Sequence, residues 1–139
     1  MSDVPTSNVP ASNERQHISS GGPLEARAGY SRAVRVGDWV AVSGSTSLGP
    51  DGVAHPGDCY GQAIFTLGVI ERALDEAGAQ MADVVRTRSF ITDIALLDDF
   101  IRAHGEVFGD IRPASTLVEV SGLIHPDLVI EIEVDAIIR

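Results

Sequence analysis

The chain is predicted to be an α+β domain, a mixed sheet with two helices on one face. Three observations predict it. The segment from Leu128 to Ile138 alternates strictly, with Leu128, Ile130, Ile132, Val134, Ala136 and Ile138 on one face and Glu131, Glu133 and Asp135 on the other. Two segments carry apolar residues at helical spacing instead. The elements follow in the order strand, strand, strand, helix, strand, helix, strand, strand, which fits one sheet covered on one side.

Residues 1–14 read as a flexible tail and 15–139 as one domain. The tail is rich in Ser, Pro and Asn, and no basic or apolar leader is visible in it. A short edge strand is expected from Arg15 to Ser19, broken by Ser20-Gly21-Gly22-Pro23. Ser31 to Val36 alternates, with Val34 and Val36 on one face and Arg35 on the other. Gly37-Asp38 makes a turn into the apolar run Trp39 to Val42, which stops at Ser43-Gly44. Gly49-Pro50-Asp51-Gly52 is a turn signal within the loop that follows.

Asp58 is expected to cap a helix reaching Ala77, with Ala63, Leu67, Ile70, Leu74 and Ala77 as its stripe and Gly78 at its left-handed end. Asp83 to Thr92 reads as a strand. Asp93 is expected to cap the second helix, striped by Leu97, Phe100, Ile101, His104, Val107 and Phe108 and ended by Gly109. Thr116 to Val120 and Leu128 to Ile138 complete the sheet. Two helices cover only one side. The uncovered side is expected to carry Leu117, Val129 and Ile137 beside Glu119, Glu131, Glu133 and Asp135. Burying such a face requires a neighbouring copy, so a homo-oligomer is expected.

Ten basic and twenty acidic residues give the 139-residue chain a net charge of −10. Phosphate backbones and anionic membranes call for clustered Lys and Arg, so neither nucleic acid nor membrane is expected as a partner. A single cysteine, Cys59, leaves no intrachain disulfide and fits a reducing, cytoplasmic setting. His17, His55, His104 and His125 form no metal-ligand pair, so no metal is expected. His104 reads as a hydrogen-bonded histidine at the border of a core stripe, and Cys59 as an inert thiol. No nucleotide-binding loop or nucleophile elbow is present. Glu131, in mid-strand on the face away from the helices, lies either on a solvated face or inside an intersubunit cleft. Tyr30 and Arg88 carry the same alternatives.

Several short stretches together resemble the YjgF family of reactive-intermediate deaminases, the Rid proteins also labelled L-PSP endoribonucleases. They are Gly29 to Val34, Val42-Ser43-Gly44, Gln62, Asp83 to Thr87, Phe108-Gly109, Arg112-Pro113-Ala114, Val118 to Val120 and Ile130 to Glu133. The resemblance implies a chorismate-mutase-like fold, a homotrimer, and ligand clefts between subunits. It implies hydrolysis of small imines or enamines by a positioned water, with no cofactor. Carried over residue by residue, it gives Tyr30 and Glu131 as catalytic, and Ser43 and Gly44 as ligand-binding. The family's carboxylate-binding arginine falls on Ser115. For a carboxylate ligand, a neutral hydroxyl in place of a guanidinium costs about 1–3 kcal/mol. Arg88 and Arg112 are the cations that could replace it. The expected function is therefore a Rid-like deaminase of a small imine, enamine or related metabolite. The alternative is a trimer that binds a small metabolite without turnover. An endoribonuclease ranks last, opposed by the charge.

Overall fold

The computed structural model describes residues 14–139; the expectations for residues 1–13 lie outside the described residues. One six-stranded sheet organises it. Its strands are β1 (Arg15–Ile18), β2 (Ala33–Val36), β3 (Trp39–Ser45), β6 (Val84–Ile91), β7 (Ala114–Glu119) and β8 (Ile130–Ile137). They lie in the order β1-β2-β3-β8-β6-β7. Only β6 and β7 pair in parallel; every other pair is antiparallel, so the sheet is mixed. A small hairpin, β4 (Leu48–Gly49) and β5 (Gly52–Val53), turns at Pro50-Asp51 where the sequence signals it. Among the described residues, no helix is long and apolar enough to cross a membrane.

Helices α2 (Cys59–Glu76) and α3 (Leu97–Phe108) pack against one another, and α2 packs on β3 and β8. The expected stripe of α2 is its buried side: Ala63, Leu67, Ile70 and Leu74 are 2% exposed or less. They meet Val40, Val42, Ile130, Ile132, Val134 and Ala136 of the sheet, all equally buried. Asp58 Oδ1 accepts from the Gly61 N–H at 2.9 Å and caps α2. Gly78 follows with φ +85°, and a β-carbon on it would lie 2.7 Å from Arg35 Nη1. That guanidinium donates to the Ala77 carbonyl at 2.8 Å, closing the helix end with a buried cation.

Four sequence expectations change. A six-residue helix, α1 (Pro23–Ala28), forms where only a break was read; Pro23 opens it and Gly29, in left-handed geometry, ends it. Glu25 ties it down, accepting from Ser19 Oγ, from Ser20 N–H and closely from Ser20 Oγ. Asp93 caps a 3-10 turn, Ile94–Leu96, and α3 starts only at Leu97. β3 continues through Ser43-Gly44 to Ser45 instead of stopping there.

The largest change concerns the uncovered face. Parallel pairing sets Ser115 opposite Thr87, Leu117 opposite Ser89 and Glu119 opposite Ile91. Those three β6 residues are buried under the helices. Leu117 and Glu119 therefore lie on the helix side, and Glu119 Oε1 accepts from the Ile94 N–H at 2.8 Å. Val129 packs against the core as well. The open face carries Thr116 and Val118 in their place, with Trp39 and Ile137 paired in register and with the acids of β8.

Gln62 fixes the start of β8. Fully buried in α2, it donates to the carbonyls of His55 (3.1 Å) and Asp127 (2.9 Å) and accepts from the Val129 N–H (2.9 Å). Gln62→Leu keeps the volume and strips all three partners. It should cost about 2–4 kcal/mol in urea unfolding and speed hydrogen exchange at the Val129 amide. A loss under about 1 kcal/mol with unchanged exchange would show that the loop holds β8 without it.

Candidate functional site

The register between β3 and β8 slips once. Val42 pairs with Val134, but the next pair is Ser45 with Ile132. Three steps along β3 match two along β8, so Ser43-Gly44 forms a β-bulge. Glu131 lies against this bulge. A β-carbon built on Gly44 would collide with Glu131 Oε2 and lie 3.1 Å from its Cδ. Only glycine lets the carboxylate settle onto the backbone there.

Arg32, just before β2, clamps the same bulge. Its Nη1 donates to the Gly44 carbonyl at 2.7 Å and to Ser45 Oγ at 3.0 Å. Its Nε lies 3.9 Å from Glu25 Oε2, and the guanidinium carbon lies 5.7 Å from the centre of the Tyr30 ring. Ser43 is held on the other side, its Oγ donating to the Ser31 carbonyl at 2.6 Å and its N–H to the Arg32 carbonyl at 2.9 Å. Burial raises the pKa of Glu131, the Arg32 charge opposes that rise, and Glu133 adds to it. One cation, Arg32, thus acts on two carboxylates, Glu25 and Glu131.

The structure brings Tyr30, Ser43, Gly44 and Glu131 into one cluster and joins them through Arg32. Arg32 lies within the Gly29–Val34 stretch, but the sequence alone assigns it no role. Its signal, an arginine two residues after the tyrosine, becomes meaningful only once the bulge brings Gly44 under it. Arg88 does not join them. It faces Glu133 across β6 and β8, and its Nη1 lies 3.5 Å from Glu133 Oε2 and 3.4 Å from Asp135 Oδ2. Arg112 sits in the turn before β7 with φ +57° and lines a groove of about 530 Å³ with Asp83, Asp110 and Arg139. Ser115 pairs near the Thr87 end of β6, whereas Glu131 pairs with Phe90. The two are three residues apart along β6, about 10 Å, and on opposite faces. Within one chain, neither Ser115 nor Arg112 stands beside Glu131.

His104 behaves as its place on the stripe predicts: its Nε2 lies 2.9 Å from Thr87 Oγ1, and burial lowers its pKa. Cys59 is buried, and its thiol is pushed up to about 11, chiefly by burial, with Asp99 and Asp58 adding. A thiol so protonated is a weak nucleophile.

The family model described as Endoribonuclease L-PSP matches residues 22–138. A protein of Acinetobacter baylyi named 3-aminoacrylate deaminase RutC is 35% identical over 106 residues, 76% of this chain and 83% of its own length. A protein of Escherichia coli K12 named 2-iminobutanoate/2-iminopropanoate deaminase is 30% identical over 117 residues, 79% of this chain and 88% of its own. The crystal structure of a YjgF/YER057c/UK114 family member from Mycobacterium tuberculosis superposes with a TM-score of 0.82 at 45% identity, covering 90% of this chain and all of that one.

The raised Glu131 pKa carries a stability signature. With its folded-state value above the unfolded one, Glu131 adds stability below its unfolded pKa, and loses it as pH rises through the folded value. Glu131→Gln should therefore melt at the same temperature as the parent near pH 3.5, where the carboxyl is protonated in both states, and higher than the parent near neutral pH. Equal melting temperatures at both values would mean that the carboxylate is fully solvated.

Proposed function

The chain belongs to the Endoribonuclease L-PSP family, and from that membership and the Glu131–Gly44 cluster we propose that it is a cytoplasmic deaminase of small imines or enamines. The observation that carries this reading is the carboxylate seated on the bulge with its pKa raised. Hydrolysis of an imine consumes one water and releases ammonia. The water oxygen bonds to the imine carbon, and a proton passes from that water to nitrogen before the carbon–nitrogen bond breaks. A carboxylate with a raised pKa suits both halves of that transfer. An ionised Glu131 would also favour the protonated, iminium form that water attacks. Tyr30 and the Ser43-Gly44 backbone line the same cluster and would orient the substrate. The names of the Acinetobacter and Escherichia coli relatives support the reaction class.

The working unit in this reading is a homotrimer, with clefts that bring Ser115 of one chain toward Glu131 of another. Trp39, Val118 and Ile137 support it, being 51%, 42% and 48% exposed on the open sheet face of a single chain. Sedimentation equilibrium should give three times the chain mass of 14.7 kDa. Ile137→Asp should lower that mass, and a parent protein sedimenting as a monomer would remove the clefts.

The deaminase reading is tested by generating 2-aminoacrylate in the assay and following ammonia release. Glu131→Gln should slow release by about 10²–10³-fold. Wild-type release no faster than the spontaneous rate, together with a thermal shift on adding keto acids, would instead favour binding without turnover. Ser115, a hydroxyl at the position where the resemblance expects a guanidinium, is the observation that keeps that second reading in view.

A further inference from the structure

Glu25 is buried in α1, 7% exposed, and no step of the proposed reaction uses it. Its carboxylate is clasped by the chain that enters the helix: Ser19 Oγ donates to Oε1 at 2.9 Å, the Ser20 N–H to Oε2 at 3.2 Å, and Ser20 Oγ closely to Oε2. Burial raises the pKa of Glu25, but the bonds from Ser20 and Ser19 and the Arg32 charge more than offset it. The group is therefore an ionised carboxylate in neutral solution. Its backbone carbonyl accepts from the Gly29 and Tyr30 N–H groups, each at 2.9 Å, so a change of side chain leaves the bonds that end α1 in place.

The protons of Arg32 show where its charge is spent. Both N–H protons of Nη1 are committed, one to the Gly44 carbonyl at 2.7 Å and one to Ser45 Oγ at 3.0 Å. The Nε edge faces Glu25 Oε2 at 3.9 Å, and that is the ion pair Arg32 makes. Glu131, seated on the Gly44 backbone, feels the same cation without pairing with it. Two carboxylates thus compete for one guanidinium, and Ser19 and Ser20 hold Glu25 in the pose that wins. A direct pair with Arg32 would instead lower the Glu131 pKa by about 1–3 units and make it a poorer base.

We propose that Glu25 is a positioning residue for the chemistry at Glu131: it holds the Arg32 guanidinium on the bulge and away from a direct ion pair with that carboxylate. This deepens the deaminase reading and rests on it for the use that Glu131 makes of a proton. The charged groups acting on Glu131 are Arg32 and, on its own strand, Glu133; across β6 it meets the uncharged Phe90. Those facing Arg32 are Glu25 and the Tyr30 ring. Arg88 is taken by Glu133 and Asp135. With Glu25 gone, Glu131 is the acid to which Arg32 turns.

Glu25→Gln keeps the size of the side chain and removes its charge. The Glu131 side-chain carboxyl carbon is followed by carbon-13 NMR across pH in the full chain, without substrate. Its titration midpoint should fall by about one unit or more in Glu25→Gln. In an Arg32→Met background the same change should leave the midpoint unmoved, because the effect runs through the guanidinium. Loosened packing would instead admit water to Glu131 and lower the midpoint in both backgrounds. Ser20→Ala, which weakens the clasp and leaves the charge, should shift the midpoint in the same direction by less, and it decides the matter in the same two backgrounds should Glu25→Gln not fold. A midpoint that stays or rises, or that falls equally without Arg32, would overturn the proposal. Turnover plays no part in the titration. A protein that shows the shift yet releases no ammonia from an imine contradicts the deaminase reading alone.

Discussion

The absence of a β-carbon at Gly44 is the constraint on which the candidate site depends. A regular ladder between β3 and β8 would present side chains at both Ser43 and Gly44 in alternation. The bulge turns the backbone itself toward Glu131, and the carboxylate occupies the space a β-carbon would need. The surroundings make the same geometry hold. Arg32 draws the Gly44 carbonyl inward, Ser43 is tied to the chain entering β2, and Gln62 fixes the loop from which β8 departs. Each is a backbone hydrogen bond made by a side chain from another element, so the site is set by the way the sheet is assembled more than by any one loop.

Electrostatics then separates the acids of the open face. Glu133 and Asp135 share Arg88, whereas Glu131 has only the more distant influence of Arg32, which is itself close to Glu25. Among acids on one strand, it is Glu131 whose protonation is shifted upward. The chain's net charge of −10 therefore has a local counterpart. An ionised Glu131 there would favour a neutral or cationic reacting group over an anionic one.

Much of this was legible in the residues, for identifiable reasons. β8 is buried on one face only, so period two survives in its sequence and places Glu131 correctly. α2 keeps its stripe and both of its end signals. β7 misled because it lies at the sheet edge beside β6 in parallel: Ser, Thr, Leu, Val and Glu alternate weakly, and the pairing with β6 decides which of them face the helices. α1 is too short for periodicity, although Pro23 and Gly29 mark its ends. The bulge left no periodic signal at all, since Ser-Gly reads equally well as the end of a strand, and with it went the role of Arg32.

The bulge seats the Glu131 carboxylate partly out of water, and the Arg32 charge opposes the rise in its pKa that follows. The most direct measurement is the pH titration of the glutamate side-chain carboxyl carbons by carbon-13 NMR, with Glu131 assigned through Glu131→Gln. The account predicts that Glu131 titrates above the ordinary glutamate value of about 4.3, and that Arg32→Met moves it higher still. A titration at or below that value, unmoved by Arg32→Met, would contradict it.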